Sequence, residues 1–573
     1  MVVFNEANLN KMIPFSKLEL SAVTPTVTEQ PFRALIMGPV LPEITLEASG
    51  AATERLKASL QEIRSKVKEL KSELEDKQTD FRSLEDPTPQ EKGAITRAKN
   101  DLNEAISEEN QIAERLRMAR ENFLDSARPS RILNPDQAKS SYGEGSILHL
   151  MSLAWFSENI DTETYILPVA APSGTVVRAS TTITLTLKDD ETITASSGGL
   201  LRLRFWNRNI TISLNQNLSI DEAGGAIVTA LNELKDFPII SSYEAGVVTL
   251  TAKDNTVHSN TLKVSFENIS ETNIDFMLAD NGEFSGGNGS INLQQTLEAL
   301  RERDQFNIIV SPFNNDENIK LQGRHLDFMA NVEVSKEGLL HLCLQDEASV
   351  LLNRDDNSTI NYRYISVVSS PKYITPDYVI AANVAAQVAR EGAIDPARPF
   401  TSLKLNQINS SPETLDYETS EREALLKGGF STFFLNSNRE SVIERLVTSY
   451  TENDVGTPDN TFVDINTPLT ISRLRFSFST YFYNKYIANR YKIANDNPNI
   501  PTGQPILQPK TAKADAINLF ETWQEDGLVE DAELFQDTLV VEKQGNLMIF
   551  GFRTKLIDQL RGLAAVLYYT KED

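Results

Sequence analysis

The chain has 573 residues, more than one hydrophobic core usually spans, so two to four domains of roughly 100–200 residues are expected. Its composition, 40% apolar and 24% charged, is that of a globular protein without disordered or collagen-like bias. A formal charge of -25 counts against a surface that binds duplex phosphates, and the single cysteine excludes internal disulfides and thiolate metal clusters. The acid excess keeps a concentrated protein soluble until a specific, locally basic surface meets it.

In chain order, the N-terminus MVVFNEANLNKMIPF lacks both a basic leader and a long apolar stretch, so the protein is expected to be made in a cytoplasm and to stay soluble. No apolar run reaches the roughly 18 residues of a membrane span. Residues 1–30 carry isolated apolar side chains, Pro14 and Pro25 with no helical period, which predicts an extended arm that finds partners elsewhere. Phe32–Pro39 reads as a short buried strand stopped by Gly38-Pro39. From Thr53 to about Ala127 the composition shifts to Glu, Lys, Arg, Leu and Ala. Leu56, Leu60, Ile63, Val67, Leu70 and Leu74 then alternate steps of four and three. Ile95, Ala98, Leu102, Ala105, Ile112, Leu116, Ala119 and Phe123 repeat the pattern with Glu109 as an interruption, and Asp86-Pro87-Thr88-Pro89 breaks it between, predicting an antiparallel helical hairpin. Such a hairpin serves as surface ornament or as brace.

Residues 171–280 turn to Thr, Ser, Val and Ile with period-two alternation (Ile183, Leu185, Leu187; Leu201, Leu203, Phe205; Leu262, Val264, Phe266), a β-rich insertion with one helix near Asp221–Leu234. A turn-rich linker from Asn281 to Ser290 leads to a helix (Leu293, Leu297, Leu300) and the apolar strand Phe306–Val310. Helix then strand recurs at 348–353 and 365–368, which predicts a central α/β sandwich with a partly parallel sheet. Near the C-terminus, Ile517, Phe520 and Trp523 line a helix from about Ala512 to Asp526 that Gly527 caps, and the runs Leu539–Val541 and Leu547–Phe550 flank Gln544-Gly545 as a β-hairpin. The last element, Leu563–Tyr569, is a strand-like run whose backbone groups are costly to bury without a partner.

Catalytic signals are weak. His149, His258, His325 and His341 lie in no nucleophile elbow or metalloprotease helix. Gly143-Glu144-Gly145-Ser146 lacks the Lys and spacing of a phosphate loop and reads as a turn before a helix, and Cys343 reads as a small core residue. Asp526, Glu530, Asp531 and Glu533 read as a solvated acidic face, and the aromatic stretch Phe476–Tyr483 as core or interface. No enzyme activity, cofactor or metal site is therefore expected. The rival from another class, a subtilisin-type protease, would need a Ser, His and Asp converging in space.

Segments spread over nearly the whole chain resemble the contractile tail sheath family, whose core is described as subtilisin-like without protease activity. They are IPFSKLELSAVTPTVTEQPFRALIMGPV (13–40), SYGEGSILHLMSLAWFSEN (141–159), YILPV (165–169), AGVVTLTAKDNTVHSNTLKVSFEN (245–268), FNIIVSPFNND (306–316), DPARPFTSLKLNQINSS (395–411), EREALLKGGFSTFFLNSN (421–438), SVIERLVTSYT (441–451), ADAINLFETWQEDGLVED (514–531), DTLVVEK (537–543) and TKLIDQLRGLAAVLYY (554–569). The chain departs from the family at SPFNNDEN, where a Pro-Tyr-Asn-Asp turn is common, and residues 54–127 have no counterpart in many relatives. The resemblance implies an α/β fold: a central sheath core sandwich with extended N- and C-terminal arms, a β-rich insertion domain and an antiparallel coiled-coil hairpin insertion. The corresponding division is an arm at 1–30, the start of the core at 31–52 and 128–170, the hairpin at 53–127, and a β-rich outer insertion at 171–285. The core continues over 286–440, followed by a C-terminal domain over 441–561 and an arm at 562–573.

The resemblance also implies a structural subunit that polymerises as stacked hexameric rings around a tail tube and contracts to drive it through a host envelope for genome delivery. Its partners would be copies of itself, the tube protein, and baseplate and terminator proteins, with no direct nucleic acid and no membrane insertion. Its place would be the virion's contractile tail, assembled in the host cytoplasm. An extracellular contractile injection system or contractile bacteriocin uses the same motor and stays open as an alternative. In such a subunit the arms add strands to neighbours: Leu18, Leu20, Leu563, Ala565, Leu567 and Tyr569 would be donated, and the hairpin carrying Leu539, Val541, Leu547 and Ile549 would accept.

Overall fold

The computed structural model describes residues 30–43, 50–82, 88–126, 128–172, 176–188, 199–214, 219–270, 274–301, 303–354, 360–409, 416–497, 499 and 503–568. The chain enters through strand β1 (Arg33–Pro39) and leaves it for two long helices, α1 (Gly50–Arg82) and α2 (Pro89–Ser126). Proline is tolerated at the first position of α2, where its missing N–H has no partner to lose. The helices pack through Leu60, Ile63, Val67, Leu102 and Ala105. Glu109, the break in the apolar period, pairs with Arg64 across the seam at 3.0 Å, and the two are equidistant from the Asp86–Pro87 bond, as a fold-back requires. The chain returns through β2 (Ser130–Ile132), α3 (Pro135–Tyr142), α4 (Ile147–Glu158) and β3 (Glu163–Val169). Ser146 caps α4 by accepting from the His149 amide, and Gly145 turns into it at positive φ, so the glycine-rich segment is a helix start.

The insertion comprises β4 (Ser180–Leu187), β5 (Gly199–Phe205), β6 (Arg208–Leu214), α5 (Ile220–Asn232), β7 (Ile239–Glu244), β8 (Val247–Ala252), β9 (Ser265–Asn268) and β10 (Ile274–Leu278). These strands form two small antiparallel sheets, ordered β10-β4-β8-β7 and β6-β5-β9. A 3-10 turn over Val257–Thr261 precedes β9, so the strand read from Leu262 begins at Ser265 instead, while Leu262 and Val264 are buried.

The main body continues as α6 (Gln294–Leu300), β11 (Ile308–Val310), α7 (Asp316–Ala330), β12 (Leu339–Gln345), α8 (Ala348–Leu352), β13 (Ile365–Ser370), α9 (Asp377–Ile394), α10 (Thr419–Lys427), β14 (Phe430–Leu435) and β15 (Ser441–Arg445). Eight strands make one sheet, ordered β15-β14-β13-β12-β11-β1-β3-β2. Its interior pairings are parallel; β15 and β2 are antiparallel edges. The sheet therefore runs past residue 440, where the sequence reading began a C-terminal domain. Alternation along β1 shows why the strands read as continuous apolar runs. Ala34 and Ile36 face α4 and α9, whereas Leu35 and Met37 face α6, α7, α8 and α10, so both faces are covered. Gly38 lets α4 approach, since a Cβ there would sit 2.8 Å from the Leu148 side chain. Cys343 is buried in β12 beside His341, whose imidazole burial pushes down to about 3 and so keeps neutral.

Two buried carboxylates tie the layers together. Glu158, at the end of α4, accepts from Asn383 Nδ2 (3.1 Å) and Gln387 Nε2 (2.8 Å) of α9 and from the backbone (2.9 Å) and side-chain (3.0 Å) nitrogens of Asn406. Asp377, the first residue of α9, accepts from Thr261 Oγ1 of the insertion at 3.0 Å and from Asn314 Nδ2 at 2.7 Å. The insertion also shares one continuous apolar cluster with α4 and α9, and Trp206 Nε1 donates to the Gln407 carbonyl at 2.6 Å. It is thus cored with the body.

Glu158→Ala takes an acceptor from the buried amides of Asn383 and Gln387, and it is expected to lower unfolding stability by about 3 kcal/mol, read from the urea midpoint. Desolvation pushes the Asp377 carboxyl up to about 6, above the usual 3.8, so between those values the folded state holds a proton that the unfolded state has lost. Its contribution therefore falls as pH rises through that window, by about 3 kcal/mol in all. The stability difference between wild type and Asp377→Asn should decline from pH 4 to pH 6 and be flat above pH 7; a pH-independent difference would refute the assignment.

Candidate inter-subunit surface

After β15 the chain builds a smaller unit from α11 (Asn466–Phe482), β16 (Lys492–Ile493), β17 (Ile506–Leu507), α12 (Pro509–Glu525), β18 (Val529–Glu530), α13 (Ala532–Thr538), β19 (Val540–Gln544), β20 (Leu547–Gly551) and β21 (Lys555–Leu556). Its core is aromatic. Phe520 stacks on Phe535 at 4.2 Å between centroids, and Phe550 lies 5.1 Å from Phe478 and 4.7 Å from Phe482. Trp523 Nε1 donates to Ser477 Oγ at 3.0 Å, which satisfies the indole where α12 crosses α11. The aromatic stretch at 476–483 is therefore helical, and one side of it supplies this core. Gly527, at positive φ, ends α12 one residue beyond its cap.

The hairpin β19–β20 turns at Gly545, also at positive φ, and pairs Val540 with Gly551 through Gln544 with Leu547. Val541, Met548 and Phe550 face the aromatic core, and Leu539, just before the strand, is buried in it. Leu547 and Ile549 point to the opposite, half-exposed face. The four hairpin residues read from sequence thus divide between two faces. Among the described residues neither strand has a second neighbour, so both outer edges keep unpaired backbone groups. A two-stranded sheet of this size is marginal by itself.

The C-terminal segment Leu563–Tyr568 forms no strand with its own body and is exposed throughout; Leu563, Leu567 and Tyr568 are 90%, 88% and 90% accessible. Such a contiguous apolar run in water marks an interaction segment. Leu18, Leu20 and Tyr569 lie outside the described residues. The residues holding the root of this segment were missed by sequence reasoning: Arg561 Nη2 lies 2.6 Å from Asp464 Oδ1, and Gln559 Nε2 donates to the Ala397 carbonyl at 3.2 Å. Their only trace in the sequence is a basic residue just ahead of an apolar run. The four histidines are all buried; burial holds His258 and His325 down at about 4, and His149 Nδ1 accepts from the Gly145 amide. Asp531 caps α13 and Glu530 pairs with Lys555 at 2.5 Å, so part of the acidic face has structural partners.

A Mu-like prophage tail sheath protein of Haemophilus influenzae is 26% identical over 413 residues, covering 72% of this chain and 82% of its own length. The chain is similar to a tail sheath protein over most of its length. Among solved structures, sheath tail proteins of Desulfitobacterium hafniense and Listeria innocua superpose with TM-scores of 0.40 each at 13% and 12% identity, covering 75% of this chain and 92% and 89% of themselves. No family model matches.

Phe550→Ala removes the ring that seats the hairpin on α11. Losing a half-buried aromatic costs about 2 kcal/mol, so backbone amides of 540–551 should exchange roughly 30-fold faster while the central sheet keeps its protection.

Proposed function

We propose that this chain is the contractile sheath subunit of a phage-type tail, polymerising as stacked hexameric rings around a tail tube and contracting to drive the tube through a host envelope for genome delivery. The reading is structural and non-enzymatic, as the sheath relative's name indicates. The observation that carries it is the exposed, unpaired apolar segment Leu563–Tyr568 in a molecule whose hairpin β19–β20 offers open edges. The lengths match. Six extended residues span roughly 20 Å and a five-residue strand about 17 Å, so one donated segment can pair along a whole hairpin edge.

Strand donation from one copy to the next turns a marginal hairpin into a three-stranded sheet, each backbone bond contributing about 1 kcal/mol net. The N-terminal arm, with Leu18 and Leu20, would serve the other edge. Links of this kind persist while bodies rotate, so better-packed contacts between bodies in the contracted form can drive the stroke without nucleotide. The acid excess fits a tube or baseplate surface of opposite charge, and the prophage source of the sheath relative favours a phage tail over an injection system.

Deleting residues 562–573 removes only side chains that the body does not bury among the described residues. The deletion should yield a soluble subunit with unchanged far-ultraviolet circular dichroism and melting, but no tubes by negative-stain microscopy. Tubes of normal length would overturn strand donation.

A further inference from the structure

The body's hold on the C-terminal segment ends abruptly. Gln559 is tied to the Ala397 carbonyl and Arg561 to Asp464, whereas every described residue from Gly562 on is exposed, and a Cβ built on Gly562 meets nothing within 4 Å. Asp464 is itself fixed to the central sheet, because Arg445 of the edge strand β15 grips it with Nε at 2.9 Å and Nη2 at 3.0 Å. Its carboxylate is thus shared by one guanidinium from the sheet and one from the departing segment. The side chains of Arg561 and Asp464 are only 29% and 16% exposed, so salt screens their pairing less than that of a surface pair. Asp464 stands just ahead of α11, and about two turns along that helix Ser472 accepts from Gln30 Nε2 at 3.4 Å. A cavity of about 480 Å³ beside α11 is lined by Gln30, Phe32, Pro396 and Ser472.

We propose that Arg561 is the positioning residue of the C-terminal arm: through Asp464 it roots the arm on the edge of the central sheet and sets the direction in which Leu563–Tyr568 leaves, and Gly562 is the swivel beyond it. The inference rests on the reading of that segment as a donated strand. A rooted segment samples fewer directions before it docks, so less freedom is lost on pairing with a neighbour's hairpin. Gly562 lets the strand keep its pairing while the body behind it turns, since glycine adopts backbone angles closed to other residues.

The test compares wild type, Arg561→Ala, Arg561→Lys and the 562–573 deletion, each as otherwise full-length protein, by sedimentation over a concentration series and by thermal melting. Arg561→Ala should raise the critical concentration for polymerisation about tenfold with melting within 1–2 °C of wild type, and Arg561→Lys, which keeps the charge but loses the planar fork, should fall between. Arg561→Ala polymerising at the wild-type critical concentration while the deletion fails to polymerise would overturn the anchoring role. A melting loss of several degrees in Arg561→Ala would overturn it too, by making the residue a brace of the body. If the deletion polymerises like wild type, strand donation itself fails.

Discussion

Backbone N–H and C=O groups taken out of water must be paired, and this one constraint divides the molecule into a finished part and an unfinished part. In the eight-stranded sheet the ladder is complete: the interior strands pair on both sides, and helices cover both faces. At the C-terminus the same requirement is unmet. Leu563–Tyr568 has the side chains of a buried strand and no ladder partner, and β19–β20 has ladder edges with no strand beside them. In the assembly proposed above, a second copy would supply what each lacks.

The proposed function asks opposite mechanical properties of the two parts. The body is held by groups that tolerate little displacement: Glu158 collects four donors from α9 and the loop at 406, and Asp377 joins the insertion to α9 at a cost in buried charge. Close packing of the Ala-rich α9 between the sheet and α4 adds to this, since such an interface shifts between discrete arrangements and does not deform gradually. The C-terminal segment by contrast is held at its root by Gln559 on Ala397 and Arg561 on Asp464, followed by a glycine in open space. In the proposed sheath, a rigid body on such hinged links would transmit rotation without breaking the links.

The insertions differ in how they join that body. The β-rich segment shares its apolar cluster with α4 and α9 and adds hydrogen bonds from Trp206 and Thr261, so its position is set by the body. The helices α1 and α2 carry a cluster of their own, centred on Leu60, Ile63, Val67, Leu102 and Ala105, and the Arg64–Glu109 pair joins the two helices where the apolar period breaks.

Local pattern by itself determined a good deal. The apolar runs at 32–39 and 306–310 announced buried strands, Pro87 and Pro89 separated the two long helices, and Gly545 and Gly527 marked a turn and a helix stop, because each of these rests on a few neighbouring residues and their allowed backbone angles. The strand-like character of Leu563–Tyr568 was equally plain, while its lack of any partner within its own body was not. Only the tertiary structure decided that β15 closes the central sheet past residue 440, that the insertion shares its core with the body, that the hairpin's apolar residues divide between two faces, and that Asp464 joins Arg445 to Arg561. These depend on contacts between residues up to hundreds of positions apart, such as Glu158 with Asn406 or Gln30 with Ser472, for which no spacing along the chain carries a signal.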